Sequence, residues 1–163
     1  MCRSYRDKLV REKGVTMADL VEFFKARREY YDRWEESKAK QLKEWRQDLS
    51  QLMRQLQAWL QPVTKLGLKI RPYEVNITEQ VFGTYKAPAL ELNFGPITVQ
   101  IKPKALAFIG MDGRVDIESP QGTFYLIRRP GAKEWFLSRT GWFDDAKSFN
   151  REVFEELIKE IFA

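Results

Sequence analysis

The chain has 163 residues, 44% of them hydrophobic and 31% charged, with a net charge of +5. That composition excludes a disordered chain and suits one domain with a sizeable core, or a domain of about 100 residues carrying a helical extension. Histidine is absent and cysteine occurs once, at Cys2, which excludes an intrachain disulfide, a Cys-based zinc site and the familiar His-dependent hydrolase triads.

Residues 1–16 read as a basic leader, charged and without the apolar stretch of a signal peptide. No apolar run reaches the roughly 18 residues of a membrane span, and a single cysteine suits a reducing compartment. The expectation is therefore a cytoplasmic protein with no membrane partner and no cofactor. A helix is expected next, over 17–61. Thr16 followed by Asp19 is a capping-box arrangement, no Gly or Pro occurs from Met17 to Gln61, and Pro62 supplies the expected stop. At about 1.5 Å per residue such a helix would measure roughly 65–70 Å, more than one small domain can cover.

The helix has two halves. The first carries Phe23, Phe24, Tyr30, Tyr31 and Trp34 among charges. Apolar residues almost vanish in "EESKAKQ", residues 35–41, and then return as Leu42, Trp45, Leu49, Leu52, Leu56 and Trp59. That 3–4 spacing is heptad-like but lasts only two and a half heptads, short of a firm coiled coil. Met53 and Leu60 widen the stripe, as in a helix lying on a domain core. Two readings stand: the seam packs on this chain's own sheet, or it joins a second chain.

After Pro62 the period changes to two. "LGLKI", "YEVNIT", "LELNF", "ITVQI", "ALAFIG", "RVDIE", "TFYLIRR" and "EWFLS" alternate or carry strand-forming residues, separated by turn signals that include "MDG", "SPQG" and "RPGAKE". They predict an antiparallel meander of six or seven strands with one buried face. The wet face is expected to hold Lys69, Arg71, Glu74, Asn76, Glu91, Asn93, Gln100, Lys102, Arg114, Asp116 and Glu118. Ser148 is the expected cap of a C-terminal helix whose stripe, Val153, Phe154, Leu157, Ile158, Ile161 and Phe162, needs that sheet as partner. The fold class expected is α+β, with a sheet-plus-helix domain over 63–163.

Chemistry is thinly signalled. Asp112, Asp116 and Glu118 lie close in sequence, and the last two share a strand face where oxygen ligands could hold a divalent cation. The plainer reading makes Asp112-Gly113 a hairpin turn and the acids a solvated alternation. Glu91 with Gln100 and Lys102 has the acid…Q-x-K order that metal-dependent nucleases use, without a second acid. Trp142 and Phe143 stand in a loop and could anchor a partner or close the end of the core. No phosphate loop, nucleophile elbow or dinucleotide fingerprint is present.

The function expected is a non-enzymatic assembly or adaptor module, forming a homodimer or docking a protein partner. Its association residues would be Phe23, Phe24, Tyr30, Tyr31, Trp34, Leu42, Trp45, Leu49, Leu52, Leu56 and Trp59. The rival is a nucleic-acid-binding accessory protein using Arg27, Arg28, Lys69, Arg71, Arg128 and Arg129. An enzyme using the strand carboxylates comes third, with no metal ligand set assigned.

Overall fold

The computed structural model describes residues 15–163, so Cys2 and the leader up to Gly14 lie outside the described residues. The protein is α+β. Helix α1 (Met17–Thr64) leads into seven strands and a final helix α2 (Arg151–Phe162). The strands are β1 (Lys69–Glu79), β2 (Gly83–Phe94), β3 (Ile97–Phe108), β4 (Met111–Ser119), β5 (Gly122–Ile127), β6 (Phe136–Ser138) and β7 (Lys147–Ser148). They form one sheet in sequence order, every neighbouring pair antiparallel. The chain divides into two compact units at Lys40/Gln41, within the polar stretch of α1.

The start of α1 is closed by local chemistry. The Asp19 amide donates to Thr16 Oγ1 at 3.2 Å, and Asp19 Oδ2 accepts from the Thr16 amide at 3.1 Å. These reciprocal bonds satisfy donors that a first turn leaves without helical partners. Its end differs from expectation, because Pro62 lies inside the helix. In the last turn a missing N–H removes only one bond, and the Thr64 hydroxyl bonds the Gln61 carbonyl at 2.7 Å. The stop is Gly67, whose φ of 109° takes the chain where other residues are strained. Leu66 therefore lies in the turn, exposed, and "LGLKI" contributes only its last two residues to β1.

The segments "LGLKI" and "YEVNIT" join in β1, and "ITVQI" and "ALAFIG" overlap one β3, each strand with a proline inside it. Pro72 stands on β1, an edge strand, where a missing donor breaks no ladder. Pro103 stands at a β-bulge of β3, another place that tolerates it. The register of β1 on β2 is unbroken, although the residues that reach the core change from Ile70 to Val75 and Ile77 along it. Lys69 and Arg71 therefore share a face with Tyr73, Val75 and Ile77, while Glu74 and Asn76 point the other way. The register agrees, pairing Arg71 with Glu91 and Ile77 with Tyr85. Glu74 and Asn76 are exposed as expected, though on the opposite side of the strand from Arg71, whereas Asp116, expected on the wet face, is buried at 3% exposure.

In the unit Gln41–Ala163, one contiguous core lies between the sheet, residues 42–60 of α1, and α2. Trp45, Leu49, Leu52, Met53, Leu56 and Leu60 are buried against strand residues such as Leu90, Ile101, Val115 and Ile117. The α2 stripe buries Phe154, Leu157 and Ile161 in the same cluster. Trp59 lies 5.7 Å from the Phe154 ring and 5.8 Å from Phe149, tying the helices together. Each such side chain contributes about 1.5–3 kcal/mol on burial. The seam's partner is this chain's own sheet and α2.

Two further expectations change. Gly113 is not a turn residue. The β3–β4 turn falls at Ile109-Gly110, and Gly113 lies within β4 with φ 125°. A Cβ built on it would come within 2.5 Å of Trp45 Cζ3, so glycine is present because the indole lies on the strand. The cap of α2 is Asn150, whose Oδ1 accepts from the Val153 amide at 2.9 Å. Ser148 belongs to β7 and donates to Glu134.

Candidate functional site

Residues 17–40 of α1 form the first candidate. At 100° per residue, Met17, Leu20, Phe24, Arg27, Tyr31, Trp34 and Lys38 fall along one line. Phe23 and Tyr30 flank it on one side, Val21 and Arg28 on the other. Phe23, Phe24, Tyr30, Tyr31 and Trp34 are 46–61% exposed. The rings make local contacts: Phe23 and Phe24 meet edge-on at 5.5 Å, and Tyr30 and Tyr31 at 5.7 Å. Arg27 lies over Phe23 at 5.7 Å and Lys38 over Trp34 at 4.0 Å, attractions of about 0.5–1 kcal/mol at exposed sites. Charges fill the opposite side, where Lys25 pairs with Glu22 at 3.9 Å.

The other six association residues divide off. Trp45, Leu49, Leu52 and Leu56 are buried, and Leu42 and Trp59 are half-buried against the same core. They leave the association set, because the sheet and α2 already exclude water from them.

The second candidate is a buried arginine that sequence reasoning assigned to phosphate contact. Arg128 is 3% exposed. Its guanidinium stands 4.9 Å from both the Trp45 and Trp135 rings. Arg128 Nε donates to the Asp112 carbonyl at 2.8 Å, and Nη1 donates to Asp48 Oδ2 at 2.7 Å. Lys133 Nζ donates to the same Asp48 oxygen at 2.8 Å. Burial pulls the Asp48 carboxyl upward, but the hydrogen bonds from Lys133 and Arg128 outweigh it and hold the group below the usual range. Open clefts of about 290 and 350 Å³ lie on either side of this cluster. A side chain so enclosed is unavailable to a phosphate backbone, and Arg128 leaves the nucleic-acid set.

Within the unit Gln41–Ala163 the remaining cations of that set do not converge. Arg71 Nη2 donates to Glu91 at 2.8 Å. Arg129 lies over the Phe143 ring at 4.4 Å, Lys69 opens β1, and Arg27 and Arg28 belong to the other unit. Four strand intervals separate β1 from β5, roughly 19 Å at 4.8 Å each.

The carboxylates are each engaged by side chains or backbone. Asp116 takes Arg114 Nε and Nη2 at 2.8 and 3.2 Å. Glu118 pairs with Lys102 at 2.9 Å, and Asp112 accepts from the Gly131 amide at 2.6 Å. Glu91 accepts from Arg71, Asn93 and Gln100, bonds that hold its carboxyl down at about 2. Tyr73 in turn donates to Gln100. The result is a cross-linked polar sheet face. Among the described residues no group of three or more acid, cysteine or histidine side chains is placed to hold a metal.

In the 139–145 loop the two aromatics part company. Phe143 packs edge-on against Phe136 at 6.1 Å, whereas Trp142 is 52% exposed. Asp145 braces the loop, accepting from the Ser138 hydroxyl and from the Arg139 and Thr140 amides; Ser138 leads the bonds that hold its carboxyl at about 2.

One buried cluster carried no sequence signal. Glu79 accepts from the Leu106 and Ala107 amides at 3.1 and 2.9 Å and from the Tyr85 hydroxyl, which itself accepts from Trp45 Nε1 at 3.1 Å. It serves β3 where β2 no longer pairs with it. Burial, then the Glu79 bond, pushes the Tyr85 hydroxyl well above its ordinary value.

No protein-family model, curated protein or solved structure matches the chain. Among the described residues no helix is long and apolar enough to cross a membrane.

Proposed function

We propose that this is a non-enzymatic assembly or adaptor module, and that the aromatic half of α1 between Met17 and Lys38 is the surface by which it joins another polypeptide chain. One observation carries the reading: five aromatic side chains on a single helix of 24 residues in this unit stand about half exposed. At 150–250 Å² per ring they present roughly 500 Å², already the size of the largest apolar patch on a typical monomer, about 300–600 Å². With Met17, Leu20 and Val21 the face approaches the roughly 800 Å² that one partner contributes to a stable interface. A cytoplasmic setting belongs to the same proposal and rests on the single cysteine.

Hydrogen exchange at two protein concentrations tests it. Amides of 17–40 are expected to exchange more slowly in the concentrated sample, and Phe24→Glu is expected to abolish that gain. Exchange over 17–40 that neither protein concentration nor added cell extract slows would overturn the reading.

A further inference from the structure

We infer that the cleft beside Arg128 is a binding site for a small neutral molecule carrying a carbonyl oxygen on a flat apolar body. The site is independent of the helical face above and lies within the unit Gln41–Ala163.

A single unused donor carries the inference. Arg128 is 3% exposed, and its Nε and Nη1 are taken by the Asp112 carbonyl and by Asp48. Nη2 makes no hydrogen bond among the described residues, yet none of their buried side-chain nitrogens or oxygens lacks a partner. Nη2 is therefore not sealed in the packing but open to a cleft. In the planar guanidinium it stands beside Nε. Nε faces Asp112, which lines the cleft of about 290 Å³ and not the one of about 350 Å³. So recessed, Nη2 can be reached by water or by the oxygen of a small ligand.

The rest of the wall sets the ligand's chemistry. Its backbone donors are committed: the Leu106 and Ala107 amides to Glu79, the Gly131 amide to Asp112 and the Ala132 amide to the Arg129 carbonyl. Phe82 and Leu106 are half-buried and give the cleft an apolar side. Charge selects against an anion. Arg128 and Lys133 in the wall are matched by Glu44 and Asp112, and Asp48 already accepts from both cations. A carboxylate would enter beside three acids and two cations, whereas a carbonyl oxygen accepts the bond without adding charge. The volume lies at the lower end of the roughly 300–1,000 Å³ of ligand clefts, which fits one ring rather than a larger molecule.

Amide and indole NMR of the full chain, titrated with benzamide, benzoate and benzamidine, tests it. The three probes share one ring and differ in the group offered to Nη2: a neutral carbonyl, a carboxylate, and a cation with no acceptor. Benzamide is expected to shift the Gly131 and Ala132 amides and the Trp45 indole saturably, with benzoate weaker and benzamidine without effect. Arg128→Lys, which keeps the charge and removes Nη2, is expected to weaken benzamide about tenfold or more, the worth of one hydrogen bond to a charged donor. Lys133→Ala, largely exposed in the parent, should change it less than about twofold. No saturable shift from benzamide would overturn the site. Equal shifts from all three probes would reduce it to apolar contact and overturn the role of Nη2. Tighter binding of benzoate would overturn the neutral ligand. The three probes are compared on the unmodified protein, so they decide even where Arg128→Lys fails to fold.

Discussion

Replacing Gly113 by alanine tests whether Trp45 is seated in this chain's core. The new Cβ would lie 2.5 Å from Trp45 Cζ3, 2.8 Å from Cη2 and 3.2 Å from Arg128 Nε. Two costs arise. Holding a non-glycine residue at φ 125° costs about 1–3 kcal/mol, and forcing a methyl into a filled space adds about 1–3 kcal/mol. A central value of about 4 kcal/mol corresponds to a fall in Tm of about 8–16 °C for a chain of this size. Thermal unfolding by circular dichroism measures it, and a double-mutant cycle with Trp45→Leu isolates the contact. In that background the six-membered ring is gone, so Gly113→Ala is expected to cost only the backbone part, about 1–3 kcal/mol. Equal losses in both backgrounds, or a Gly113→Ala protein melting within about 1 °C of the parent, would refute the packing argument.

The remaining predictions concern the same unit. Asp48→Ala, which leaves the enclosed Arg128 without its carboxylate, is expected to lower stability by about 3 kcal/mol in urea unfolding. Lys133→Ala, whose side chain is largely exposed, should cost less than about 1 kcal/mol, and equal losses would contradict the arrangement. Asn150→Ala is expected to cost about 1 kcal/mol through the lost cap of α2, and Ser148→Ala within about 0.5 kcal/mol of zero; the reverse order would restore Ser148 as the cap. Glu91 has a folded-state value near 2 against an ordinary 4.5, set by Arg71, Asn93 and Gln100. A lowered carboxylate contributes stability above its unfolded value and loses it as pH falls. Stability should therefore drop from about pH 4.5 toward about pH 2, less steeply in Glu91→Gln, as read from urea midpoints.

What the sequence disclosed was whatever is written locally. Alternation, turn glycines and a 3–4 stripe each act over a few residues, and they were enough for two helices flanking an antiparallel meander. What it concealed depends on residues brought together from afar. Gly113 looks like the second half of an Asp-Gly turn until the Trp45 indole, 68 positions earlier, is placed against it. Arg128 looks like a surface cation until Asp48, 80 positions away, and two tryptophans enclose it. "LGLKI" and "YEVNIT" look like separate strands because nothing nearby says that Pro72 between them stands on a sheet edge.

The candidate site was half legible. The aromatic stretch and the Leu/Trp seam are both apolar lines at helical spacing, and only the sheet decides which is buried. One signal separates them. The seam from Leu42 to Trp59 carries no charge on its line, whereas the line through Phe24 and Tyr31 includes Arg27 and Lys38. A line with cations on it suits an interface better than a core.

The central claim, that residues 17–40 join chains, is tested most directly by light scattering on a sizing column. The protein and a Phe24→Glu/Tyr31→Glu variant would be run over a range of concentrations, with thermal unfolding as a check on the fold. The account predicts a mass near twice the 19.3 kDa of one chain for the protein. It predicts the single-chain mass and an unchanged Tm for the variant. Identical masses for the two proteins at every concentration would contradict it.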